Sequence, residues 1–113
     1  MTKRMNVLAG TLELLVLQTL GGGQTALHGF EILDAIRRAT EDALVVEEGA
    51  LYPALHRMER REWLAADWAV SEKGRRAKYY RLTAKGRRAL TRAQTEWEEY
   101  VAAVAKVAGT RTT

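Results

Sequence analysis

The side chains best suited to chemistry in this sequence are arginines and lysines, and they are concentrated in one segment. Between Arg57 and Arg92 the sequence has twelve cationic and four acidic residues, so this segment carries a net charge of +8 and the rest of the 113-residue chain −4. Such polarisation favours a polyanionic partner, because cations that neutralise phosphates release condensed counterions. The charge pattern therefore predicts contact with nucleic acid.

Composition argues against several kinds of catalytic or metal site. The chain has no cysteine and two histidines, which excludes thiolate chemistry and disfavours zinc binding. It contains no Gly-x-x-x-x-Gly-Lys loop, no His-Glu-x-x-His pair and no serine triad motif. The acidic pair Glu47–Glu48 suits acid–base work, but negative charge at a helix start is the simpler interpretation. We therefore expect no enzymatic activity, no cofactor and no metal.

Glycine, proline and capping residues divide the chain into four predicted helices and a hairpin. Thr11 is the expected N-cap of the first helix, which is apolar on nearly all sides and ends at Gly21–Gly23. His28 is expected to play a structural role at the start of the second helix. The other predicted elements are helices over 28–39, about 49–62 and 83–108, a β-prone run over 44–46, and strands over 64–70 and 78–83.

The third predicted helix has two contrasting faces. Leu51, Leu55 and Met58 share the face expected to meet the core, and Pro53 lies near the first turn, where its missing N–H costs little. The opposite face carries Gly49, Pro53, His56, Arg57 and Arg60. That face is either a solvated surface or the side of a recognition helix that enters the major groove of DNA. Tyr52, on the side of the helix, either donates to a phosphate or packs under the hairpin.

The hairpin combines an alternating strand pattern with a cationic tip. Trp68 shares one face of its strand with Leu64, so it is predicted, like Trp63, to lie in the core of the wing sheet. Gly74 is expected to take a positive φ at the turn. The turn is cationic, and its candidate contacts are Arg75, Arg76 and Lys78. They either contact the minor groove or backbone of DNA, or protect an exposed sheet edge.

The last helix carries a coiled-coil seam. Its apolar residues are spaced three and four apart over more than two heptads: Leu90, Ala93, Trp97, Tyr100, Val104 and Val107. This length is short for a free coiled coil but sufficient to dock on a partner when a folded domain anchors one end. We expect these residues to form a homodimer interface. Trp97 is either an ordinary seam residue or an effector contact. In the second case its indole and that of the symmetry-related copy stack a flat aromatic effector between them.

Three helices followed by a basic hairpin is the order of a winged helix-turn-helix, and three sequence blocks resemble the PadR-like transcriptional regulators. The blocks are His28–Ile32 (HGFEI), Gly49–Glu59 (GALYPALHRME) and Lys78–Gly86 (KYYRLTAKG). They occur in the right order with suitable gaps, and the resemblance covers roughly residues 10–90. The length of the chain resembles the short branch with a single C-terminal helix.

The resemblance implies a mainly α fold with a small β-hairpin wing, a winged helix-turn-helix plus one long C-terminal dimerisation helix. We expect a DNA-binding domain at residues 1–83 and a dimerisation helix with its tail at 84–113. The resemblance also implies homodimers that bind operator DNA, usually as repressors that small aromatic compounds or drugs release. Some short members bind drugs at a place similar in position to Trp97.

Two positions depart from the family pattern. The family often has Thr or Ser where this chain has Ala50, so a hydroxyl that reaches a phosphate or base is absent. It often has Gly where this chain has Glu62, and glycine there provides a left-handed helix end. Glu62 therefore leaves open the angle at which the chain enters the first wing strand, though not the fold.

Together these features predict a sequence-specific DNA-binding transcriptional regulator, a homodimeric repressor released by a small aromatic or drug-like effector. The expected DNA contacts are Tyr52, Pro53, His56, Arg57, Arg60, Arg75, Arg76 and Lys78. The expected target is double-stranded DNA with an inverted repeat whose half-sites lie roughly one turn, ~34 Å, apart. The alternative is a winged-helix module for protein–protein interaction without specific DNA binding. No run reaches the ~18 apolar residues of a membrane span, so we expect a cytoplasmic protein without a membrane partner.

Overall fold

Helices and a small antiparallel sheet make up the computed structural model, which describes residues 5–8, 10–23 and 25–109. In chain order the elements are β1 (Met5–Asn6), α1 (Leu12–Gly21), β2 (Leu27–His28), α2 (Gly29–Ala39), β3 (Leu44–Val45), α3 (Glu48–Arg60), β4 (Leu64–Val70), β5 (Arg76–Leu82) and α4 (Ala84–Gly109). This order confirms the predicted mainly α fold with a hairpin wing and a long C-terminal helix.

The wing is the hairpin of β4 and β5. These strands pair antiparallel from Leu64 opposite Leu82 to Val70 opposite Arg76. Strand β2 adds to the other edge of β5, so the strand order is β2-β5-β4, whereas β1 and β3 form a separate parallel pair. The turn contains Gly74 with a φ of +75°, which confirms the role predicted for this glycine.

The core lies between α1, the inner face of α3 and the base of the wing. Leu51, Leu55 and Met58 of α3 are completely buried, as their spacing predicts. They pack with Leu17 of α1 and Tyr80 of β5 in one cluster. Because burying each large aliphatic side chain contributes about 1.5–3 kcal/mol, this cluster holds α3 firmly and leaves its other face to solvent.

A reciprocal cap begins α2. The Nδ1 atom of His28 accepts a hydrogen bond from the Glu31 N–H (3.3 Å), and the Glu31 carboxylate accepts one from the His28 N–H (3.1 Å). The His28 ring also meets Tyr79 of β5 edge-on, with 5.3 Å between ring centroids. His28 therefore has the structural role predicted for it, and it ties the start of α2 to the wing.

Pro53 is the sixth residue of α3, so it lies in the second turn, just past the first turn near which it was predicted. The helix begins at Glu48, with Glu47 as its N-cap. Proline at this depth has no N–H to donate to the carbonyl of Gly49. The helix tolerates this loss because Pro53 and Gly49 both lie on the solvent-exposed face.

The end of α3 is a Schellman motif built on a glutamate. The helix ends at Arg60, slightly before the predicted end, and Glu62 takes a left-handed φ of +63°. The N–H of Trp63 donates to the carbonyl of Met58 (3.0 Å), and the N–H of Glu62 donates to that of Glu59 (2.9 Å). The chain therefore makes the turn into β4 that glycine favours, but with a residue that is strained there.

Trp68 is exposed, and its predicted place in the core is wrong. Its side chain is 57% exposed, and Val70 on the same face is 70% exposed. Leu64, at the base of that face, is buried. The period-two alternation identifies the correct face, but the outer half of the hairpin extends past the helices, and no described helix buries it there. Trp63, in contrast, packs against the core as predicted.

The start of α4 is locked to the wing base. Thr83 acts as the N-cap of α4, because its Oγ1 accepts a hydrogen bond from the Gly86 N–H (2.9 Å). Gly86 lies so close to Trp63 that a Cβ would overlap the carbonyl oxygen of that residue. Ala89 is buried in the core cluster. The first turns of α4 thus belong to the same core as α1 and α3.

Candidate nucleic-acid interface

The solvent face of α3 is exposed from its first turn to its last. The predicted recognition residues on it are all exposed: Pro53, His56, Arg57 and Arg60. With about 100° between successive residues, Arg60 falls at the centre of this face, between His56 and Pro53. No ion pair within residues 5–8, 10–23 and 25–109 includes Arg60. Its guanidinium is therefore available to an external acceptor.

A groove of about 860 Å³ lies between α3 and the wing. It brings together five of the predicted DNA contacts: Tyr52, His56, Arg75, Arg76 and Lys78. The start of α2, with the exposed ring of Phe30, also lines it. One side of α3 and the cationic turn of the wing therefore share a single concave surface.

Two of the predicted contacts lie on the other flank of α3. Pro53 and Arg57 line a separate groove of about 560 Å³, together with Leu12 and Val46. Arg60 lines neither groove and stands on the ridge between them. The structure thus divides the predicted residues between the wing side and the α1 side of one exposed helix face.

Glu13 of α1 neutralises part of the charge on the α1 side. Its carboxylate accepts hydrogen bonds from Arg61 Nη1 at 3.0 and 3.1 Å and lies 3.6 Å from Arg57 Nε. A phosphate that approaches Arg57 must therefore compete with Glu13. Sequence reasoning missed this pairing, since only the fold brings residues so distant in sequence together.

Lys78 joins the wing to α3. Its Nζ donates to the Glu59 carboxylate at 2.9 Å, and about a quarter of its side chain is exposed. The hydrogen bond to Glu59 raises the pKa of Lys78, so the ammonium stays charged at neutral pH. This contact links β5 to α3, a role that the sequence pattern did not indicate.

Tyr52 packs against the start of α2 and also lines the groove. Its ring lies so close to Gly29 that a Cβ at that glycine would meet it. Partial burial, with a smaller effect from Glu48, raises the pKa of the hydroxyl. The hydroxyl therefore stays protonated at neutral pH and can donate a hydrogen bond to a phosphate.

The outer wing carries a stacked arginine–tryptophan pair. The Cζ atom of Arg76 lies 4.8 Å from the ring centroid of Trp68. Arg75, next to it, is exposed, and its backbone N–H donates to Ser71 Oγ at 3.3 Å in the turn. Because the alternation of β4 assigned Trp68 to the core, the sequence did not reveal this pair.

The apolar seam of α4 is divided between the core and solvent. Leu90 and Ala93 pack against the core of the same chain. Trp97 and Tyr100 are 38% and 64% exposed, and their rings stack with 6.3 Å between centroids. Val104 and Val107 continue the exposed stripe. An exposed apolar stripe of this length is typical of a protein–protein contact.

Across the described ranges, none of the helices is both long and apolar enough to cross a membrane. The same residues contain no group of three His, Cys, Asp or Glu side chains arranged to hold a metal ion.

Comparisons with known proteins agree with this architecture. The model of the transcriptional regulator PadR-like family matches residues 16–92. A transcriptional regulator from Clostridium thermocellum is 29% identical, covering 86% of this chain and 92% of its own, with a TM-score of 0.77. A PadR-like transcription factor from Bacteroides fragilis is 31% identical (87% and 90% covered, TM-score 0.69). A PadR family transcription regulator from Clostridium difficile is 27% identical (87% and 98% covered, TM-score 0.71).

Proposed function

Since the chain belongs to the PadR-like family of transcriptional regulators, we propose that it binds operator DNA as a homodimer and represses transcription. The observation that carries this proposal is the groove in which α3 and the wing turn face each other. A recognition helix and a cationic hairpin on one surface suit a duplex, whose major groove accepts the helix while the hairpin meets the flanking backbone or minor groove.

The side chains divide into base-reading and backbone-binding groups. Arg60 is the proposed base reader, because it stands at the centre of the exposed face without an ion-pair partner among the described residues, and arginine bonds a guanine edge bidentately. His56 and Pro53 flank it on the same face. Tyr52, Arg57, Arg75, Arg76 and Lys78 contact phosphates.

The exposed half of α4 is the proposed dimer contact. We assign dimerisation to residues 84–113, of which 110–113 lie outside the described residues. Helix α4 pairs across a two-fold axis through Trp97, Tyr100, Val104 and Val107, with Leu90 and Ala93 at the base of the seam. Residues 1–83 form the DNA-binding unit of each protomer. This pairing sets the two copies of α3 at half-sites roughly one turn, ~34 Å, apart on an inverted repeat.

The same axis offers a place for a regulatory ligand. Two copies of Trp97 facing each other would stack a flat aromatic or drug-like effector between them. Such a ligand releases DNA only if it favours a different spacing of the two wings. To lower DNA affinity a thousandfold, the ligand must bind the dimer with the altered wing spacing about 4 kcal/mol more tightly than the dimer with the spacing that fits DNA.

Selection of bound fragments from random DNA, followed by footprinting, tests the proposal. We expect enrichment of an inverted repeat and protection of both half-sites. If about six phosphates are neutralised, the logarithm of the binding constant should fall with the logarithm of salt at a slope near −5. Failure to enrich any sequence, with a shallow slope, would favour the protein–protein interaction module instead.

A further inference from the structure

We propose that Trp68 is a positioning residue for Arg76, and that the stacked pair acts as one DNA-binding unit on the outer wing. The indole holds the guanidinium in place, and the guanidinium donates to the phosphate backbone beside the groove. This inference rests on the proposed function, since it specifies how the wing of a DNA-binding protein presents its charge.

The exposure of Trp68 is the first observation. A tryptophan that is 57% exposed, in a surface that also carries Arg75, Arg76 and Lys78, does not serve the core of this chain. It lines the groove between α3 and the wing, on the side proposed to face DNA. A large aromatic ring left exposed at such a place points to a contact made outside the protomer.

The geometry of the pair is the second observation. In the hairpin register Arg76 stands opposite Val70, and Trp68 stands opposite Lys78, so Arg76 and Trp68 are diagonal neighbours. A long side chain spans this diagonal, and the guanidinium lies 4.8 Å from the indole centroid. Arg76 makes no ion pair within the described residues, so the ring is the partner that the structure shows for it.

Stacking of the Arg76 guanidinium on the indole suits phosphate binding because the N–H donors stay exposed. A guanidinium lying over an aromatic face keeps its N–H donors directed outward from its edge, where a phosphate oxygen can accept them. The ring also restricts an otherwise flexible side chain before DNA arrives, which lowers the entropic cost of binding. When DNA covers the pair, the loss of water strengthens the cation–π attraction.

Arginine and tryptophan variants of the full chain, measured on the selected operator, test the inference. Trp68→Leu keeps an apolar side chain without an aromatic face and should weaken binding about threefold to tenfold. Trp68→Phe keeps the face and should restore most of the affinity. Val70→Ala is the matched control, because Val70 is exposed on the same face of β4 and should leave affinity unchanged. Thermal melting should be the same for all three variants.

A double-mutant cycle gives the decisive readout. If the indole positions the guanidinium, Arg76→Ala should weaken binding much less in the Trp68→Leu background than in the wild-type chain. Arg75→Ala removes a cation that has no aromatic partner among the described residues, so it should weaken binding equally in both backgrounds. Equal effects of Arg76→Ala in both backgrounds, or failure of Trp68→Phe to restore affinity, would overturn the inference. A wild-type chain without salt-dependent DNA binding would instead contradict the proposed function itself.

Discussion

Replacing Glu62 with glycine should stabilise the protein, because the residue after α3 has a conformation that disfavours a side chain. Glu62 has a φ of +63° in the Schellman motif that turns the chain into β4. The two hydrogen bonds of the motif come from backbone groups, so glycine keeps both. The substitution therefore removes the strain and leaves the turn intact.

The size of the effect follows from three contributions. The left-handed conformation costs a non-glycine residue about 1–2 kcal/mol. The greater freedom of glycine in the unfolded chain lowers the free energy of unfolding by about 0.5–1 kcal/mol and so offsets part of this gain. The Glu62–Lys85 ion pair is 4.0 Å long and well exposed, so losing it changes the free energy of unfolding little. We expect a net gain of about 0.5–1 kcal/mol, or an increase in Tm of about 2–6 °C.

Thermal unfolding followed by circular dichroism measures this gain, and Glu62→Ala separates charge from conformation. Alanine removes the carboxylate but keeps the left-handed strain, so its Tm should stay close to that of the wild-type chain. A Tm that rises equally for alanine and glycine would refute the conformational argument. So would a Tm that falls for glycine.

Three further changes have expected outcomes. Glu13→Gln should tighten operator binding and steepen its salt dependence, because Arg57 is released to phosphate; weaker binding in anisotropy titrations would contradict this. Trp97→Glu should yield monomers with weakened operator binding, because like charges meet at the axis, and dimers surviving in sedimentation analysis would refute the proposed interface. Gly86→Ala should destabilise the fold by about 1–3 kcal/mol, because its Cβ overlaps a carbonyl oxygen. Gly49→Ala is the control in the same melting assay: its added Cβ meets open space, so it should not lower the Tm.

The helices could be predicted because local signals define them. The spacing of Leu51, Leu55 and Met58 predicted a core-facing stripe, and all three are buried. Thr83 was a recognisable N-cap. A structural role was also predicted for His28, but its capping box with Glu31, three residues later, was not predicted, because histidine is an unusual N-cap residue.

The contacts around the groove were harder to predict from the sequence because they depend on distances between helices and strands. Alternation assigns Trp68 to a face but does not say how far the helices cover that face. The Lys78–Glu59 pair requires the angle between β5 and α3, and the Glu13–Arg61 pair requires the packing of α1 on α3. Charge density therefore predicted the surface, whereas the arrangement of individual charges required the fold.

The central claim is that α3 and the wing bind one DNA duplex together, and titrations of operator and random DNA across a series of salt concentrations test it most directly. If Arg75 neutralises one phosphate in each protomer, Arg75→Ala should reduce the slope by about 2 per dimer. Arg60→Ala removes a base contact, so it should reduce the preference for operator over random DNA and leave the slope nearly unchanged. Arg37→Ala is the control, because Arg37 is paired with Asp34 at the end of α2 and should leave the slope unchanged. A wild-type slope in the Arg75 variant, or a wild-type preference for operator in the Arg60 variant, would contradict a DNA-binding surface shared by α3 and the wing.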